Sequence, residues 1–145
     1  MLLLHGFGSS LETWEPWAQS LGVTYRVVRF DLPGCGSSEA DRTGNYGDAR
    51  SLQIVKALMD ALGMEKAVLV GHSMGGRIAW RFAAAFPERT RKQSAASPSD
   101  LEIDQILPAA LPIAHQPGGR LRRSESAWRR DGGSILRIAI GPRQP

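Results

Sequence analysis

Through the first ninety residues, short apolar runs alternate with longer amphipathic ones, the pattern of strands joined by helices in a parallel sheet. Leu2 to Leu4 is a brief, wholly apolar run ending at His5-Gly6-Phe7-Gly8, which predicts a buried strand that opens into a glycine-rich turn. Ser9 and Glu12 then stand at capping-box spacing, with Trp14, Trp17, Ala18 and Leu21 at helical spacing behind them. Pro16 fits only the first turn of such a helix, and Gly22 closes it. Tyr25 to Asp31 predicts a second strand carrying Val27, Val28 and Phe30, stopped by the turn residues Asp31-Leu32-Pro33-Gly34-Cys35-Gly36.

The clearest helix starts after Asn45, where Leu52, Val55, Leu58, Met59 and Leu62 share one face and Gly63 takes the stop position. Ala67 to Val70 predicts a third, fully buried strand. Met74, Ile78, Phe82 and Phe86 then recur every four residues until Pro87 ends the last helix.

A right-handed crossover from that helix should deliver a fourth parallel strand. Arg91-Lys92-Gln93-Ser94-Ala95-Ala96 is a poor candidate, and Ser97-Pro98-Ser99 breaks it. Later, Ile135 to Ile140 is long and apolar enough for an isolated strand, and Leu101 to Leu107 for a turn or two of helix. The expected layout is thus a partial parallel α/β core over residues 1–90 and an atypical Pro, Gly and Arg-rich tail over 91–145, disordered or frame-shifted. On this reading the tail contributes no native strand, and a three-stranded sheet is left with two unpaired edges.

Charge sharpens that division. The chain of 145 residues has a formal net charge of +4, yet residues 1–90 hold 9 basic and 9 acidic side chains against 9 and 5 in residues 91–145. Arg120, Arg122, Arg123, Arg129 and Arg130, with Trp128 among them, could be read as a nucleic-acid patch, but composition without periodicity favours the disordered or frame-shifted readings, and no nucleic-acid partner is expected. A single cysteine, Cys35, excludes an internal disulfide, and the apolar start at Met1 to Leu4 is far too short for a membrane span. A reduced, cytoplasmic setting without membrane partners is expected. The entry of the chain directly into Leu2-Leu3-Leu4 suggests further residues upstream of Met1.

Gly71-His72-Ser73-Met74-Gly75 fits the Gly-x-Ser-x-Gly nucleophile elbow and lies where that motif belongs, between an apolar strand and an amphipathic helix. Glycines two residues to either side of Ser73 allow a tight turn that holds the hydroxyl out of the sheet. The helix start aims backbone N–H groups at developing negative charge, with Met74 N–H as first oxyanion donor. The loop His5-Gly6-Phe7-Gly8 offers the second donor, Phe7 N–H.

These segments, with Asp31 to Ser38, resemble the α/β-hydrolase fold family over residues 1 to about 90. The order His-Gly-x-Gly, Asp-x-x-Gly-x-Gly-x-Ser, Gly-x-Ser-x-Gly looks like that family's third to fifth strands, the first two preceding Met1. The resemblance implies an α/β fold with a mainly parallel sheet and a serine hydrolase of esterase type acting on small ester-like or related carbonyl substrates, with neither cofactor nor metal. Asp at position 73 would have suggested epoxide hydrolase or dehalogenase chemistry. It further implies an Asp or Glu and a His downstream to activate Ser73, whereas only 72 residues follow it. His115 is the sole downstream histidine and so the weak candidate base. His5, His72 and Asp31 are expected to make structural hydrogen bonds, Cys35 to be inert, and Trp14, Trp17 and Trp80 to pack in the core or at its rim. The reading from another class is a non-catalytic pseudo-enzyme fragment that keeps its pocket and engages a partner through the basic tail.

Overall fold

The computed structural model describes residues 1–95, 124–129 and 135–141. Within them a six-stranded sheet runs in the order β4-β3-β1-β2-β6-β5. Its strands are β1 (Leu2–Leu4), β2 (Val28–Phe30), β3 (Ala67–Gly71), β4 (Thr90–Ala95), β5 (Ser124–Arg129) and β6 (Ile135–Ile140), and its helices α1 (Glu15–Leu21), α2 (Asp48–Ala61) and α3 (Met74–Ala85). β1 pairs in parallel with both β2 and β3, and β4 extends the parallel run beyond β3. β6 is antiparallel to β2, and β5 to β6.

The central strand is buried on both faces, which is why Leu2-Leu3-Leu4 does not alternate with polar residues. Leu2 and Leu4 pack with Val28, Phe30 and Leu69 beneath α2 and α3. Leu3 faces the other way, into Trp14, Trp17, Leu21, Val27 and Val70 beneath α1. Each helix buries the face its spacing predicts. In α2, Val55, Leu58 and Met59 are joined by Ile54, with Leu52 and Leu62 at the margin, and Gly63 takes φ +61° just past the end. In α3, Ile78, Ala79 and Phe82 face the sheet, and the Phe82 and Phe86 rings lie 4.9 Å apart.

Three local expectations change. A 3-10 turn over Leu11–Trp14 precedes α1, and Ser10 caps it by accepting from Glu12 N–H at 3.3 Å, because a 3-10 turn closes one residue sooner than a capping box. Ser9 instead bonds the Thr13 hydroxyl. Trp14 and Trp17 are core residues meeting edge to face, but Trp80 lies on the outer face of α3 and is 59% exposed.

The larger correction concerns the segment after residue 90, whose Arg, Pro and Ser-rich composition predicts no native strand. Thr90 to Ala95 forms β4 despite its polar sequence, its register running from Ala67↔Thr90 to Gly71↔Ala95 with one shift after Ala67. An edge strand needs backbone partners more than apolar side chains, and β3 supplies a full row of them. Ile135 to Ile140 is a strand, but not an isolated one. Leu136 and Ile138 enter the same core as Leu4 and Phe30, while Arg137, on the opposite face, reaches the Glu12 carboxylate at 2.6 Å. Backbone bonds tie the same residue to the loop after β2: Asp31 N–H donates to Arg137 C=O at 3.0 Å, and Arg137 N–H donates to Ser38 Oγ at 2.9 Å.

β6 membership of the core has a measurable consequence. Ile138→Ala should lower the unfolding free energy by about 2–5 kcal/mol, the usual loss for a truncated buried aliphatic side chain. Urea denaturation checks this, and a midpoint equal to the parent's would place Ile138 outside the core.

Candidate active site

β3 ends at Gly71 and α3 begins at Met74, so the chain reverses over two residues. Ser73 takes φ +50° and ψ −112°, and among the described residues it alone combines a side chain with a positive φ. A non-glycine residue held there costs of order 1–3 kcal/mol and persists only where its surroundings overdetermine it. They do so here through glycine. A β-carbon on Gly71 would overlap the Gly75 carbonyl and the Gly76 nitrogen, and one on Gly75 would overlap the Leu4 and His5 carbonyls. His72 N–H donates to Leu4 C=O at 3.0 Å, Gly75 N–H to His72 C=O at 2.8 Å, and Arg77 N–H to Ser73 C=O at 3.0 Å. The Ser73 side chain is left exposed at the carboxyl end of the sheet.

The His5–Gly8 loop leaves β1 beside this turn, since Leu4 and Gly71 are register partners. The two touch: a β-carbon on Gly6 would sit 2.8 Å from His72 Nδ1. Phe7 projects outward and is 86% exposed, and Gly8 turns the chain away at φ +68°. Met74 N–H opens α3 and belongs to the first turn, whose donors have no carbonyl partner within the helix. The elements bearing Ser73, Met74 and Phe7 are thus neighbours at one end of the sheet.

Beneath them, polar groups hold the loops together. His5 is fully buried, its Nε2 accepting from Leu32 N–H at 2.9 Å and its Nδ1 lying 2.7 Å from Gly6 C=O. Burial pushes its pKa below the ordinary 6.5, against the opposing pull of the Gly6 carbonyl and the Asp31 charge. Asp31, also fully buried, accepts from Leu11 N–H at 2.6 Å and Ser37 N–H at 2.9 Å, while Ser38 Oγ donates to its carbonyl at 2.7 Å. Gly36 has φ +53°, and a β-carbon there would overlap the Asp31 carboxylate. Cys35 is half-buried, and burial followed by the Asp31 charge raises its thiol pKa, which disfavours the thiolate.

Of the three histidines in the chain, His115 lies outside the described residues, as do Arg120, Arg122, Arg123 and Arg130. Among the described residues no histidine is hydrogen-bonded to Ser73; His5 is engaged as above, and His72 Nδ1 is buried without a partner. No described helix is long and apolar enough to cross a membrane.

The family model for the alpha/beta hydrolase fold matches residues 1–123. The chain belongs to the alpha/beta hydrolase fold family. It is 36% identical over 115 residues to the 2-hydroxy-6-oxo-6-phenylhexa-2,4-dienoate hydrolase of Comamonas testosteroni, covering 77% of this chain and 40% of that protein. It is 40% identical over 93 residues to human epoxide hydrolase 4, covering 63% of this chain and 26% of the relative. Among solved structures, the enol-lactonase from Burkholderia xenovorans LB400 superposes with a TM-score of 0.61 at 34% identity, over 63% of this chain and 35% of that one. This alpha/beta hydrolase chain therefore spans two-fifths or less of the length of these relatives.

Sequence reasoning located the elbow and the glycine loop but missed the anchoring of Asp31 to Leu11 and of Ser38 to Arg137, contacts between residues 20 and 99 positions apart. The glycine at 36 was the available signal, since a residue type free to adopt positive φ marked a turn folded over a side chain.

The strained elbow makes two substitutions diverge. Ser73→Gly should raise stability by about 1 kcal/mol by releasing the positive-φ strain, whereas Gly75→Ala should cost about 3 kcal/mol because its methyl meets backbone. Thermal melts of both variants check the opposite signs. A pH effect follows from His5. With the folded pKa lowered, the unfolded chain binds a proton that the folded one refuses once pH falls below about 6.5, so stability declines on acidification by at most about 1.4 kcal/mol per pH unit. Urea midpoints between about pH 7.5 and about pH 5.5 should fall more for the parent than for His5→Gln, which cannot titrate.

Proposed function

We propose that the chain carries the nucleophile and oxyanion portion of a serine hydrolase acting on small esters or related carbonyl compounds. The observation that supports this most is Ser73 held exposed at φ +50° between a buried strand and a helix start. Ser73 Oγ would attack the substrate carbonyl carbon, passing its proton through a base to the leaving alcohol as the C–O bond breaks. The Phe7 and Met74 N–H groups would donate to the tetrahedral oxyanion, and water would then release the acid from the acyl-serine. The serine at 73 favours this acyl transfer over the epoxide chemistry named for one relative. The base is assigned to a histidine outside the described residues, for which His115 is the candidate within this chain.

A second reading, a non-catalytic binding scaffold, draws support from the fact that no described histidine bonds Ser73. Turnover decides between them. The full chain should hydrolyse a short p-nitrophenyl ester, and Ser73→Ala should reduce kcat by on the order of 10³-fold or more. Equal rates for the two proteins would establish the scaffold reading instead.

A further inference from the structure

The Phe7 N–H belongs to the same peptide group as the Gly6 carbonyl, and a trans peptide is planar, so whatever orients one orients the other in the opposite direction. The Gly6 oxygen faces two partners: Ser9 N–H donates to it at 3.3 Å, and His5 Nδ1 lies 2.7 Å away. The imidazole tautomer follows from its other nitrogen. Leu32 N–H can only donate, so Nε2, at 2.9 Å, must accept and carries no proton; the proton of the neutral ring is then on Nδ1, directed at Gly6 C=O. An imidazolium would set Nε2–H against Leu32 N–H. The ring is fully buried and joins the loop after β1 to the loop after β2, 27 residues away.

We propose that His5 is a positioning residue of the site: its Nδ1–H clamps the Gly6 carbonyl, and through the planar Gly6–Phe7 peptide fixes the direction of the Phe7 N–H, while Nε2 locks the ring to Leu32. This deepens the serine-hydrolase reading and rests on it for its catalytic consequence. A purely packing histidine would tolerate any isosteric apolar group, whereas a clamp requires a donor at the δ position. His5→Asn retains such a donor and gives up the Leu32 bond, His5→Leu gives up both, and His5→Gln keeps an acceptor for Leu32 but no δ donor.

The test uses the full chain. With a p-nitrophenyl ester, His5→Leu should lose about 10²-fold in kcat with KM within about twofold, since misplacing a reacting group by an ångström costs that much; His5→Asn should recover at least about tenfold of the loss. Equal kcat in folded His5→Asn and His5→Leu overturns the proposal, as does a loss confined to KM. Should His5→Leu not fold, His5→Gln replaces it, and a kcat in the Gln variant at or above that of the Asn variant is the overturning result. Imidazole ¹⁵N spectra provide an arm independent of turnover. Nδ1 should be protonated and Nε2 unprotonated, and the Phe7 amide resonance should be kept in His5→Asn and displaced in the variant lacking the δ donor. The reverse tautomer, or a Phe7 amide that does not respond, overturns the clamp. If the parent and Ser73→Ala turn over ester equally, the serine-hydrolase reading has failed, and the spectra still decide His5.

Discussion

The approach of the Gly75 backbone to the Leu4 carbonyl is the constraint on which the rest of the site depends. Two parallel strands, β1 and β3, end in register, and the chain after β3 must turn back across the end of β1 within two residues. Only glycines at 71 and 75 leave room for that turn, and the backbone left over at 73 is one that L-residues avoid. The strain there is offset by the burial of Leu2, Leu3 and Leu4 between two helical layers. Strain at Ser73 and saturation of the core at β1 are two sides of one arrangement.

Around this fixed point, buried polar groups link loops that leave adjacent strands. His5 joins the loop after β1 to Leu32, and Asp31 joins the loop after β2 to Leu11. Each satisfies backbone N–H groups that would otherwise be buried without partners, at a depth where an unmade hydrogen bond is expensive. Asp31 also forbids a larger residue at Gly36, where a β-carbon would overlap its carboxylate, and His72 does the same at Gly6. The Ser73 turn is therefore supported from below by a hydrogen-bonded layer, and that layer rests on the same two strands as the core.

The segment after residue 90 shows where local reading fails. Arg91, Lys92, Gln93 and Ser94 argue against a strand by propensity, yet β4 pairs with the apolar β3. Propensity measures how well a side chain packs on a half-buried surface, and edge positions place little demand on it. Trp80 errs in the opposite sense, an aromatic residue assumed to be packed and found on the outer face of α3. The periodicity of Met74, Ile78, Phe82 and Phe86 leaves position 80 off the buried stripe, so position along the helix outweighs residue type there.

Periodicity and glycine placement in the sequence alone determined the three strand–helix units, the tight turn at Ser73 and the glycine-rich loop at His5 to Gly8. Each depends on residues within a few positions of one another, where spacing is geometry. The tertiary structure alone decided that β6 joins β2 through Phe30 and Ile138, that Arg137 reaches Glu12, and that His5 and Asp31 bond across loops. Those contacts link residues 20 to 125 positions apart, and no local pattern encodes them. A hydrogen bond of that kind is selected only once the strands have brought its partners into register.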